Sequence, residues 1–378
     1  MSRTIVDIHV IQTVPPSNIN RDDTGSPKTA VYGGRRRARV SSQAWKRATR
    51  DAFEHLLDPA ELGVRTKRVV ELVAEEITRQ RPELAQRSAE LAEAVLTAAG
   101  IKITPARKKE ALPESGYLLF LSTRQIQGLA ELVIEAAEKA GEGKPDINKA
   151  DARARADQQH SVDVALFGRM VADATDLNVD AACQVAHALS VHTVDNEYDY
   201  FTAVDDHKKA DAEDAGAGMI GTVEFNSSTL YRYATVDVDR LRDNLGDVGG
   251  TRRAVEAFVR AFVSSMPTGK QNTFANRTLP DAVLVVVRHT QSINLVGAFE
   301  EAVPDDADGG RVVMAVSRLA EHARELHEAF DEQPVDAWVF GVGEKKVAPL
   351  AELARRSTFD PTVREVGALV ADRLGEKA

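Results

Sequence analysis

Apolar and polar residues alternate at the start of the chain. Over residues 5–12, Val6, Ile8 and Val10 share one side and Asp7 and His9 the other, which is the period of a strand. His9 reads as a strand-surface or packing histidine rather than a metal ligand. Pro15-Pro16 ends regular pairing, and residues 18–34, rich in turn formers, read as a long functional loop with Arg21-Asp22-Asp23 as a salt-bridged brace. The period then changes: Trp45, Ala48, Ala52, Phe53 and Leu56 recur at helical spacing behind Ser41 or Ser42, either of which can cap a helix start.

The same reading continues along the chain. Residues 62–79, 90–99 and 124–139 carry helical patterns, with a short apolar strand or buried connector at 117–121. Residues 141–159 form a polar connector with room for a helix, 162–170 a structured apolar segment, and 180–191 a partly buried helix. Two short strands follow at 222–225 and 230–238, with Tyr231 and Tyr233 on one face and Arg232 on the other. Helices are expected at 251–266, 318–330 and 363–374. Residues 282–287 form a central strand, 312–316 a weaker one and 337–342 a later one.

With 378 residues, 43% apolar and 28% charged, the chain can bury a substantial core in more than one domain or in one domain with large insertions. No segment is apolar enough to span a membrane, and the N-terminus lacks the pattern of a secretion signal. The single cysteine, Cys183, sits among apolar neighbours as a buried structural thiol, so a reducing cytoplasm is the expected location.

Charge adds a local feature. Net charge is -10, yet residues 24–50 carry +8 and no acidic residue, which leaves -18 for the rest. Gly33 and Gly34 favour a turn or a close backbone approach. A mobile basic loop therefore feeds a helix whose start and basic face (Gln43, Lys46, Arg47, Arg50) suit phosphates. An ordinary solvated basic face is the alternative. Farther along, Asp195, Glu197 and Asp199 surround Tyr198, Tyr200 and Phe201 without diagnostic metal-ligand spacing. The PTGKQNTFANRTLP segment offers donors, but it is not a nucleotide-binding glycine loop.

The opening IHVIQTVPPSNINRDDTGSPKTAVYGGRRRARVSSQAWKRATR resembles the CasC family, the repeated backbone subunit of the type I-E CRISPR surveillance complex Cascade. DNEYDYFTAVDD, GTVEFNSSTLYRYATVDVDRL and PTGKQNTFAN continue the resemblance in order. It implies an α+β fold: a modified RRM-like (ferredoxin-like) palm formed by 1–51 and 181–378, a mainly helical finger insertion at 52–180, and a thumb or web at 192–221. It also implies a non-enzymatic, cofactor-free protein that coats CRISPR guide RNA and presents its bases to target DNA. Its partners would be other Cascade subunits and further copies of itself, six on one RNA. By this resemblance Lys28, Ser42, Gln43, Lys46 and Arg50 contact the RNA backbone. Phe201, supported by Tyr200, wedges between nucleotides. Arg169, Met170, Lys270 and Gln271 are groove candidates, and Lys108 and Lys109 are candidates for target DNA.

Two other readings stay open. One is a metal-dependent nuclease with Asp195 and Asp199 as ligands and water as nucleophile. The other is a protein-interaction scaffold that never touches RNA.

Overall fold

A computed structural model of the chain describes residues 3–106, 111–141, 143–171, 175–203 and 219–375. The fold is mixed α and β and divides into two compact units. The first comprises Met1–Ala52, Val185–Thr235 and Phe258–Val366; the second comprises Phe53–Gln184, Val236–Ala257 and Gly367–Ala378.

The first unit is built on one sheet. Its strands are β1 (Ile5–Ser17), β2 (Thr29–Tyr32), β3 (Arg35–Val40), β4 (Ala188–Ser190), β5 (Glu197–Ala203), β6 (Met219–Asp237), β7 (Ala282–Arg288), β8 (Asp336–Gly341) and β9 (Arg355–Arg356). Among the described residues the path runs β9-β8-β7-β1-β6-β4-β3-β2, with β5 paired to β6. β7 is buried along its whole length and pairs antiparallel with β1 from Ile5↔Arg288 to Ile11↔Ala282. Alternation sends Ala282, Leu284 and Val286 to one face, with Tyr231 and Tyr233 of β6. There they meet Ala315, Val316, Leu319, Ala320 and Ala323 of the helix Arg311–Ala329.

Centrality makes polar residues of β1 internal. Asp7 and His9 are fully buried. Asp7 pairs with Arg288 at 3.0 Å and accepts from the Tyr233 hydroxyl at 2.8 Å. Burial nevertheless pushes its carboxyl up from the usual range. His9 stacks on Tyr233, and its Nδ1 lies 2.9 Å from the Tyr231 hydroxyl. On the other face Arg232 stacks 3.7 Å over the Trp45 ring and donates to Gln12 and to the Phe262 carbonyl. Burial brings its guanidinium down to about 9, so it remains charged at neutral pH.

Several elements differ from the pattern in the sequence. β1 runs through Pro15-Pro16 to Ser17. The basic residues 35–40 are a strand, not a loop, because Gly33 and Gly34, with φ of 56° and 71°, close a two-residue hairpin with β2. Residues 180–191 hold the strand Cys183–Val185 and β4 rather than a helix. β4 lies between β6 and β3, and ladder bonds on both edges override its helical composition. The two short strands expected at 222–238 are one strand, β6. Residues 312–316 lie in the helix Arg311–Ala329.

The second unit packs the helices Val69–Gln80, Ser88–Ala98 and Thr123–Ala140 around Val70, Val73, Ile77, Leu91, Val95, Leu129 and Val133. Ser122 and Gln125 form a capping box at the start of the third helix. The expected helix at 62–79 begins only at Val69. Before it, Gly63–Thr66 pairs with Leu119–Ser122, and a side chain at Gly63 would meet the Leu121 carbonyl at 2.9 Å. No described helix is long and apolar enough to cross a membrane.

Two predictions follow from this packing. A Cβ at Gly33 would stand 1.7 Å from the Glu300 carbonyl oxygen, whereas one at Gly34 meets nothing within 4 Å. Gly34→Ala should therefore cost about 1–2 kcal/mol for its backbone conformation alone, and Gly33→Ala roughly twice that or more, measured by denaturant unfolding. The second concerns pH. Burial holds His9 at about 3 and His160 and His192 at about 4, below the unfolded value near 6.5. Unfolding therefore takes up protons, and stability present above pH 6.5 is lost as pH falls from there toward 4, and for His9 toward 3, with raised Asp7 offsetting part of the loss. The drop in unfolding free energy between pH 6.5 and 5 should shrink by about 2 kcal/mol in His9→Gln.

Candidate nucleic-acid interface

The basic segment separates into internal and surface residues. Arg37 is fully buried and donates to the carbonyls of Ser190, Phe299 and Glu300 at 2.9, 3.0 and 3.1 Å. Burial lowers its pKa. It anchors the β2–β3 hairpin beside the carbonyl that Gly33 approaches. Arg35 and Arg36 stay exposed. Arg39 is half-buried, its Nε donating to the Thr29 carbonyl at 3.3 Å.

The helix Ser42–Phe53 starts where this strand ends. Ser41 is its cap, its hydroxyl accepting from the Ala44 N–H at 3.3 Å. Trp45, Thr49 and Phe53 turn inward, while Gln43 and Arg47 are exposed and Ser42, Lys46 and Arg50 half-buried. Arg47 forms an exposed ion pair with Asp51 at 3.6 Å. Leu56 lies beyond the helix end and is exposed.

The loop from residue 18 to 28 organises the surroundings. The Asn18 amide donates to the carbonyls of Gly25 and Glu224, both at 2.9 Å. The Asn20 carbonyl oxygen of the side chain accepts from the Ser41 N–H at 2.8 Å, and its backbone oxygen accepts from Lys28 at 2.9 Å. The brace is a turn rather than an ion pair: Asp22 Oδ1 accepts from Thr24 N, Thr24 Oγ1 and Ser26 N, at 2.9, 2.7 and 3.0 Å. Its Thr24 hydroxyl bond is the main influence that lowers the Asp22 pKa. Gly269 packs backbone to backbone on this loop; a Cβ there would be 2.4 Å from the Ile19 carbonyl oxygen. The following turn, Gln271–Phe274, is flanked by Lys270 and Ala275 in left-handed conformations, φ 47° and 46°. Phe274 meets Phe225 at 5.9 Å between ring centres. Lys28, the helix start, Lys270, Gln271 and the root of the β5–β6 hairpin thus share one neighbourhood of the first unit.

On that hairpin Phe201 pairs with Gly221, and its ring occupies the space a Gly221 side chain would need, 2.4 Å from an added Cβ. The ring remains 36% exposed. Tyr200 does not support it: neighbouring residues of a strand face opposite sides, so Tyr200 shares its face with Tyr198. Both tyrosines are exposed.

The other candidates fall elsewhere. Arg169 belongs to the second unit and is 5% exposed. Its guanidinium donates to the carbonyls of Leu177 and Phe120, to Gln125 and to Asp157. These four partners make it a structural bracket, so the sequence assignment to an RNA groove is corrected. Its neighbour Met170 is 85% exposed. Lys108 and Lys109 lie outside the described residues. Asp195 and Asp199 are exposed, and no group of three or more His, Cys, Asp or Glu among the described residues can hold a metal ion.

Sequence reasoning missed Asn18, Asn20 and His187. The two asparagines flank Ile19 just after β1, a polar alternation that marks a bonded turn. His187 stands alone in an apolar run, and only the fold brings its Nδ1 to the Ser42 N–H at 3.1 Å.

Removing the acceptor of Asn20 tests the bracket. Asn20→Ala should lower unfolding free energy by about 1–2 kcal/mol and speed amide exchange at the first turn of the helix, while Asn20→Asp, which keeps an acceptor, should not.

The comparisons extend over nearly the whole chain. Residues 6–365 match the family model described as CT1975-like protein. A chain of a solved structure described as "CRISPR RNA-guided surveillance complex, pre-nicking" is 37% identical. That match covers 97% of this chain and 100% of the other, with a TM-score of 0.84. A second, from a "CRISPR RNA-guided surveillance complex", is 32% identical with TM-score 0.71, covering 96% and 99% of the two chains. No curated protein matches.

Proposed function

The chain belongs to the CT1975-like protein family, and from that premise we propose that it is the repeated subunit that coats guide RNA in a CRISPR surveillance complex of the type I-E Cascade kind. The observation that carries the reading is similarity at both levels, 37% identity and a TM-score of 0.84 over essentially two whole chains. A match of that extent supports the same place in the same kind of ribonucleoprotein. The basic neighbourhood of the first unit supplies the chemistry.

In this reading Lys28, Lys46 and Arg50 draw the backbone phosphates. Ser42 and Gln43 hydrogen-bond to phosphate or sugar. Such contacts carry no base information, so one surface accepts any guide sequence. Lys270 and Gln271 border the same path from the turn beside the 18–28 loop. Phe201 rises from the β5–β6 hairpin, the proposed thumb, and wedges between bases, where stacking contributes about 1–3 kcal/mol per base without sequence preference. The bases between wedges stay open to pair with target DNA, which supplies specificity. The first unit serves as palm, and the helical part of the second as finger, with Met170 as a candidate contact. Several copies along one guide, with other Cascade subunits, complete the particle. The protein itself performs no catalysis.

Binding of a mixed-sequence single-stranded RNA across a salt series tests this. Lys28→Ala/Lys46→Ala should lose affinity and flatten the plot of log K against log salt by about 1.4, near 0.7 for each lost phosphate contact. Unchanged binding and slope would remove the proposed grip. Metal-dependent RNA cleavage abolished by Asp195→Ala would favour the nuclease reading instead.

A further inference from the structure

His187 is exposed and follows the strand Cys183–Val185, yet it reaches the start of the basic helix. Its Nδ1 accepts the Ser42 backbone N–H at 3.1 Å. An imidazole nitrogen that accepts carries no proton, so the neutral ring bears its hydrogen on Nε2. Burial first, then the charges of Arg39 and Lys28, lower its pKa, so the ring is neutral near pH 7. Those two cations also place His187 inside the positive surroundings of the helix start. The ring is held by one nitrogen and leaves the other, a donor, on its opposite edge.

We propose that His187 is a further contact to the nucleic-acid strand, its Nε2–H donating an uncharged hydrogen bond to a phosphate or ribose oxygen beside Ser42. This rests on the RNA-coating reading. It adds something lysine and arginine do not: a directional donor whose contribution is independent of counterion release. Holding the ring through Ser42 fixes that donor relative to the helix, so oxygen position along the strand is read as well as charge.

The side-chain amides of Asn and Gln separate the two edges of the ring. His187→Asn keeps an acceptor where Nδ1 stands and has no donor at the Nε2 position. His187→Gln places an amide N–H at the Nε2 position and loses the acceptor. Binding of a mixed-sequence single-stranded RNA to the full chain is measured at several salt concentrations, with circular dichroism melting to verify folding. His187→Asn should bind about five- to tenfold more weakly with an unchanged salt slope, and His187→Gln should stay close to the parent. The reverse order, equal losses in both variants, or no loss in either would overturn the assignment, since the ring would then only cap the helix or stand aside. A salt slope flattened in His187→Asn would also overturn it, because the contact would be ionic. Lys28→Ala/Lys46→Ala run alongside separates the two levels. If that variant loses affinity and His187→Asn does not, His187 alone falls; if neither does, the RNA-coating reading falls with it.

Discussion

A polar side chain in a strand covered on both faces must find its partner inside the protein, because water cannot reach it. Asp7, His9 and Gln12 of β1 are such residues, and all three reach β6, two of them with a second partner elsewhere. Asp7 holds Arg288 of β7 and Tyr233 of β6, His9 meets Tyr231, and Gln12 holds Arg232 and the Thr278 carbonyl. A one-residue slip of β1 against either neighbour would strand these groups without partners and turn apolar side chains the wrong way. Register at the centre of the first unit is therefore set by polar pairing as much as by apolar burial. Breaking one member of such a pair costs more than the pair itself contributes, since the remaining group stays buried.

The same strand positions the candidate interface. β1 ends at Ser17, and the next residues are the bracket of Asn18 and Asn20. Their amides tie the loop to Glu224 of β6 and to the Ser41 N–H at the start of the basic helix. Gly269 closes on the same loop through backbone contact. A rigid center thus extends outward through hydrogen bonds of fixed length, so the cations near the helix start stand on a defined surface. Preorganisation of this kind lowers the ordering entropy lost when a ligand binds to such a surface.

Arginine illustrates how the fold sorts one residue type into two roles. Arg37, Arg169, Arg232 and Arg288 are buried, each bonded to carbonyls, amides or carboxylates within the protein. Arg35, Arg36 and Arg47 remain exposed. Three of the four buried ones stand in strands or next to them, where alternation sends every second side chain inward regardless of its charge. In the RRRAR run, Arg36 and Arg37 stand on opposite sides of β3, and only Arg37 is buried, held by the carbonyls of Ser190, Phe299 and Glu300.

Much of the architecture was already legible from local rules. The central strand at 282–287, the paired faces of Tyr231 and Tyr233 against Arg232, the turn at Gly33-Gly34 and the capped basic helix all follow from period, φ preference and hydroxyl geometry, which act within a few residues. Where the chain departed from expectation, a distant partner decided. Residues 180–191 became strands because β3 and β6 each offered an edge, and 312–316 became helix because its apolar residues had one core to face. Arg169 became a bracket because four acceptors from separate segments converged on it. The sequence alone determined that a cationic, helix-capped segment exists within an acidic protein. Only tertiary structure decided which of its charges face outward and that Asn20 and His187 meet its first turn, because those contacts join residues some twenty and more than a hundred positions apart, a separation over which no local periodicity carries information.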